Sequence, residues 1–256
     1  MLLISAFVKR WSLKENIMDL NILTFGNPEA DTYLIQMVDD HDLEFLESQL
    51  THIRELTGGQ DFCMKAVQVK SWNRDLSPWQ APAVFGNEDF GDGAGETLHF
   101  LEKEILADLS CGPVVPAEFA ESAGTAEFSE AEKSVKKIFL GGYSLAGLFA
   151  LWAAYQTDRF DGIAAASPSI WFPDFIDHMR NNRIQTKAVY LSLGDREERT
   201  RNPVMSKVGT AIRDAESILA GTETDCILEW NKGNHFKQPD LRTAKAFAWL
   251  MNRRKN

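Results

Sequence analysis

Between Lys136 and Trp152 the sequence reads KKIFLGGYSLAGLFALW. An apolar run of strand length meets two glycines, then Tyr-Ser, then an apolar segment with helical spacing. The order is strand, sharp turn, helix, and few folds accept it, because a serine on such a turn has its side chain pushed out over the sheet edge. Gly142 stands two before Ser144, as G-x-S-x-G requires, whereas Ala146 stands two after it and Gly147 one further on, giving G-x-S-x-A-G. The helix that Ser144 opens presents free N–H groups and a positive dipole end to any oxyanion formed there, with Leu145 N–H as the first donor. The competing reading is a serine that merely caps a helix. An acid and a histidine following in the right order would decide between the two.

The flanking sequence reads as strands and helices in alternation. Ile22–Phe25 and Tyr33–Val38 have strand character, and Leu43, Leu46, Leu50, Ile53 and Leu56 recur at helical spacing over 42–57. Phe62–Val69 is the next strand. The connection 70–95 is rich in Trp, Pro and Gly, and loops this long inside a compact domain are usually functional. Leu98, Leu101, Ile105 and Leu109 mark a helix, and 111–134 is an acidic, solvated excursion. Beyond the Ser144 helix come strands at Gly162–Ala166, Thr186–Leu193 and Asp225–Trp230, with helices over Val204–Leu219 and Leu241–Asn252. Alternation of this kind implies an α/β fold, a mostly parallel central sheet with helices on both faces.

Length and charge narrow the function. A chain of 256 residues is expected to form one α/β domain over 20–256, with 1–19 as an N-terminal extension and Met18 as an alternative start to Met1. Lys+Arg 27 against Asp+Glu 37 gives a net charge of −10, which excludes the basic footprint of nucleic-acid or anionic-membrane binding and leaves a small-molecule partner. No apolar run is long enough to span a bilayer, and no secretory signal is apparent. Cys63, Cys111 and Cys226 form no C-x-x-C pair and no metal-like spacing with histidine. Reduced thiols, a cytoplasmic location and the absence of metal or organic cofactor are therefore expected.

In a sheet of this type ligands bind at the carboxyl ends of the strands. Ser144, the Gly194–Glu198 turn and His235 each follow the end of an expected strand, in the order serine, acid, histidine that the α/β-hydrolase fold uses. His235, in a Gly-Asn-His loop, is the candidate base; His41, His52, His99 and His178 lack either the order or the loop. Three carboxylates crowd one turn. Glu197 is the first choice for the acid that orients the imidazole, Asp195 the second and Glu198 the third, with a Ser–His dyad as the remaining possibility. A second oxyanion donor is expected in the loop after Tyr33–Val38, from the backbone N–H of Asp39 or Asp40. Trp72, Trp79, Trp171, Phe172 and Tyr143 are candidate walls of a substrate pocket, although each aromatic can equally pack the long loop onto the domain.

The segments NRDLSPW, FGDGAGETLHFLEKEIL, IFLGGYSLAGLFALWAA, FDGIAAASPSIWF, LSLGDREE and GNHF occur in that order. Together they resemble the esterase family of the α/β-hydrolase superfamily that includes esterase D-like S-formylglutathione hydrolases, feruloyl esterases and siderophore esterases. SPSIWF and the G-x-x-E turn are most similar to the siderophore-esterase branch. The resemblance implies a serine esterase with nucleophile Ser144, base His235 and acid Glu197. This chain departs from the family's usual Ser-x-Gly-Gly elbow, carrying Ser-Leu-Ala-Gly, and has acidic residues where the family's oxyanion loop has glycine. Ester hydrolysis is thus the expected activity. Acyl or thioester transfer by the same triad, thioester hydrolysis and a non-catalytic binding module are the alternatives.

Overall fold

The computed structural model describes residues 20–110 and 136–253. In chain order its elements are β1 (Asn21–Gly26), β2 (Thr32–Val38), α1 (Asp40–Leu56), β3 (Cys63–Gln68), α2 (Trp72–Asp75), α3 (Ala94–Leu101), a π-helical turn Glu102–Leu106 and α4 (Ala107–Ser110). Next come β4 (Lys137–Tyr143), α5 (Leu145–Gln156), β5 (Gly162–Ala166), α6 (Phe175–Asn181), β6 (Ala188–Gly194), α7 (Val208–Ala220), β7 (Asp225–Asn231) and α8 (Pro239–Asn252). Among the described residues seven strands form one sheet in the order β1-β3-β2-β4-β5-β6-β7. All neighbours are parallel except β1, which pairs antiparallel with β3 at one edge.

The central strands are near-continuous apolar runs because both faces of the sheet are covered. Alternate residues feed two cores. Ile35, Leu140, Ile163 and Leu191 pack with α3, α5, α6 and α7 on one face. Leu34, Phe139, Ala164 and Tyr190 pack with α1 and α8 on the other. Helix α5 is buried without interruption from Leu145 to Tyr155, as an apolar segment with no polar stripe requires. The helix that carries the elbow is thus fixed by the core and not by surface contacts.

Three local features go beyond the sequence expectation. Helix α1 starts at Asp40, two residues early, because Asp39 supplies the cap: its carboxylate accepts from Asp42 N–H and the Asp42 carboxylate accepts from Asp39 N–H. Helix α6 falls in a segment for which the sequence reading expects no element, and Phe175 and Met179, one turn apart, are its buried anchors. The long connection 70–95 holds the short helix α2 and a bridge between Ala81 and Phe90. Buried Asp75 ties its entry, accepting from Lys70 N–H, Ser71 N–H and the Arg74 guanidinium. The extension 1–19 and the excursion 111–134 lie outside the described residues.

Candidate active site

Ser144 follows the last residue of β4 and precedes the first of α5, with φ 57° and ψ −119°. That is left-handed backbone, rare for a residue with a side chain and costing on the order of 1–3 kcal/mol. Its N–H donates to Ala166 O at 3.1 Å, so the parallel ladder to β5 continues through the strained residue and holds it. The turn is tight enough that a Cβ on Gly142 would lie 2.5 Å from Ala146 Cβ, and one on Gly147 would lie 3.0 Å from Gly142 O. Although Ser144 occupies the cap position of α5, its side chain makes no capping bond. Its Oγ instead lies 3.0 Å from His235 Nε2 and 3.1 Å from Ser169 Oγ.

His235 stands on the loop after β7, and its Nδ1 lies 2.6 Å from Glu197 Oε2. Nδ1–H therefore donates to the carboxylate, Nε2 accepts from Ser144, and Ser169 is the donor to Ser144 Oγ. Glu197 opens a short 3-10 turn after β6 and is buried. Its other oxygen, Oε1, accepts from Gly194 N–H at 2.7 Å, Ser167 Oγ at 2.9 Å and Arg242 Nη1 at 2.8 Å. Burial pushes the Glu197 carboxyl up. The bond and charge of His235 and the donors Gly194 N–H and Ser167 hydroxyl outweigh it and hold the group below the usual glutamate range. Tyr143, one residue before the serine, donates its hydroxyl to His235 O at 2.6 Å, and its ring lies 5.1 Å from the imidazole.

The remaining sequence candidates have other partners. Asp195 Oδ1 accepts from Gly233 N–H, which lowers its carboxyl and braces the histidine loop. Glu198 pairs with Arg213 at 3.2 Å on the surface. Of the carboxylates in this turn, Glu197 is therefore the one bonded to His235. Asp39 N–H is engaged by Asp42 in the α1 cap, and the Asp40 carboxylate accepts from Gln68. Asp40 N–H, at the first helical position, has no acceptor within its helix. Tyr143 is buried and its hydroxyl is spent on the histidine loop. Trp79 donates Nε1–H to Pro173 O and packs on Phe172 and Phe175, pinning the long connection to α6. Trp171 is buried against Phe85 and Phe90, whereas Trp72 packs on the core from α2. Phe236, next to His235, is 85% exposed.

Sequence reasoning missed Ser167, Ser169 and Arg242. Ser167 follows β5 as Ser144 follows β4, also with positive φ, 41°. Arg242 did leave a signal: it lies on the same helical stripe as Ala246 and Leu250, a charged residue on an apolar face. Among the described residues no cluster of His, Cys, Asp or Glu is arranged to hold a metal ion, and no helix is long and apolar enough to cross a membrane. Chemically, the arrangement offers a hydroxyl in contact with one nitrogen of an imidazole whose far nitrogen is held by a buried carboxylate.

The strand order, the strained serine between β4 and α5, and the histidine on the loop after the last strand define an α/β-hydrolase fold. No protein-family model and no curated protein matches the sequence. Several solved structures share the fold. The siderophore hydrolase EstB from Aspergillus nidulans superposes with a TM-score of 0.68 at 15% identity, over 100% of this chain and 99% of that one. An IroE-like serine hydrolase from Shewanella oneidensis gives 0.67 at 15% identity, over 96% of this chain and 80% of that one. The enterobactin esterase FES from Shigella flexneri gives 0.59 at 14% identity, over 97% of this chain but 60% of that one. At these identities the likeness is one of fold.

Proposed function

We propose that this chain is a serine hydrolase that cleaves carboxylic esters of small molecules through an acyl-enzyme, with Ser144 as nucleophile, His235 as base and Glu197 as the acid that orients it. One observation carries the reading: a serine held at φ 57° lies 3.0 Å from an imidazole whose other nitrogen lies 2.6 Å from a buried carboxylate. In the first step Ser144 Oγ attacks the ester carbonyl while His235 Nε2 takes its proton. The tetrahedral oxyanion accepts from Leu145 N–H, and Asp40 N–H is the better-supported second donor because Asp39 N–H is occupied. Collapse expels the alcohol, which receives the proton from His235, and water then attacks the acyl-enzyme by the same route.

The structures that share the fold include siderophore hydrolases and an enterobactin esterase, and this supports siderophore esters as the first substrates to test. A net charge of −10 and the free thiols of Cys63 and Cys226 support a cytoplasmic protein that binds small molecules and not nucleic acid, folded as one domain from about residue 20. The test combines fluorophosphonate labelling, read by mass spectrometry at Ser144, with hydrolysis of short-chain aryl esters. Labelling and turnover that both vanish in Ser144→Ala are the expected result. Wild-type turnover no higher than that of the variant would overturn the proposal.

A further inference from the structure

Arg242 lies on α8, behind the sheet edge that carries the candidate triad, and only 2% of it is exposed. A guanidinium removed from water to this degree needs partners on every side. Its partners here are parts of the site. Nη1 donates to Glu197 Oε1 at 2.8 Å and also lies 3.1 Å from Tyr143 Oη and 3.2 Å from Ser167 Oγ. Nη2 donates to Asn234 O at 3.0 Å and to Lys232 O at 3.3 Å, on the loop after β7 just before His235. Tyr143 in turn donates to His235 O. A single planar group thus bonds the acid, the residue before the nucleophile and the backbone of the histidine loop.

We infer that Arg242 is a positioning residue for ester hydrolysis: it locks Glu197, Tyr143 and the histidine loop into one register. This rests on the serine-hydrolase reading. The assignment follows from the fork. The nucleophile and the histidine come from different strands, 91 residues apart. A guanidinium presents its donors in a fixed plane, so elements bonded to it cannot shift independently. The carboxylate is held from both sides, its Oε2 facing His235 while Oε1 faces Arg242, so the acid cannot turn without breaking one of the two contacts. Around the pair, Tyr143 from β4 and Arg242 from α8 bond to it directly, while Asp195 and Lys232 stand on its own two loops.

The test uses wild type, Arg242→Lys and Arg242→Gln, with thermal melts to establish folding and kcat and KM measured separately on an aryl ester. Wild-type turnover is measured first; its absence would defeat the hydrolase reading itself and not this assignment alone. Given turnover, both variants should lose about 10- to 100-fold in kcat at little-changed KM, because the loss lies in alignment and not in substrate binding. Folded variants with wild-type kcat, or a loss carried by KM with kcat unchanged, would overturn the inference. Should Arg242→Gln not fold, Arg242→Lys decides: a wild-type kcat in that variant refutes the need for the fork.

Discussion

Adding a single methyl group at Gly142 tests the geometry of the elbow more sharply than removing the nucleophile. In Gly142→Ala the new Cβ would lie 2.5 Å from Ala146 Cβ and 3.0 Å from Ala146 C. Carbon pairs are most stable near 3.5–4.0 Å, so β4 and the first turn of α5 have to part by about 1 Å. Neither side has a torsion to yield, since both groups are fixed to buried backbone. Ser144 sits between them, and a displacement of about 1 Å at a reacting atom costs on the order of 100-fold in rate. Overpacking of about 1–3 kcal/mol lowers Tm by about 2–12 °C in a chain of this size. The double variant Gly142→Ala/Ala146→Gly removes the closest contact and restores the Ser-x-Gly-Gly pattern. It should recover at least about tenfold of the lost kcat/KM on an aryl ester, while Tm stays depressed because glycine in a helix costs about 1 kcal/mol. A single variant within twofold of wild type, or a double variant no more active than the single, would refute the steric argument.

Three further outcomes follow from the same contacts. Glu197→Gln should reduce kcat by about 10³- to 10⁴-fold with His235 still in place, and combining it with Ser144→Ala should cost no more than Ser144→Ala alone; additive losses would show that the residues do not act as a unit. The Glu197 carboxyl is lower in the fold than in the unfolded chain, so its contribution is present above the ordinary glutamate range and lost as pH falls through the folded value. Melting curves below about pH 4 should therefore show wild type losing stability relative to Glu197→Gln. Asp42 has the opposite sign. Burial and the neighbouring Asp39 carboxylate push it up to about 7, so it costs stability increasingly as pH rises from about 4 to 7. Asp42→Asn should gain on wild type across that window, and a pH-independent difference in Tm would contradict the assignment.

What the sequence disclosed and what it hid separate along physical lines. The strands, the elbow, His235 and Glu197 were legible because they follow chain order: apolar runs of strand length, turn residues at their ends, and chemistry-bearing side chains just beyond. Helix α6 was not, because its signal is a single buried pair, Phe175 and Met179, within a polar segment. The roles of Asp195 and Tyr143 were equally hidden. Each was read by residue type, as an acid and as an aromatic wall, whereas Asp195 braces Gly233 and Tyr143 holds the histidine loop. Which partner a polar group finds is decided by loops that meet only when the sheet forms. Arg242 is the extreme case, since its partners come from β4, the loop after β5, the turn after β6 and the loop after β7.

The two strained serines explain why such a site can be held at all. Ser144 and Ser167 stand one residue past the ends of adjacent strands, with φ 57° and 41°. Isolated in a loop, each would relax to an ordinary conformation. Here Ser144 N–H bonds to Ala166 O and Ser167 N–H bonds to Ser192 O, both at 3.1 Å, so each strained residue is the last rung of a buried parallel ladder. Relaxing either would break that rung and leave backbone groups unpaired beside a close-packed core, which opposes release of the strain. The consequence is chemical: one serine is forced to aim its hydroxyl at His235, and the other to aim its own at Glu197. The sheet itself therefore fixes the relative placement of Ser144 and Glu197, and the histidine loop is held from two sides, by Asp195 and Arg196 N–H on the turn after β6 and by Arg242 from the helix behind.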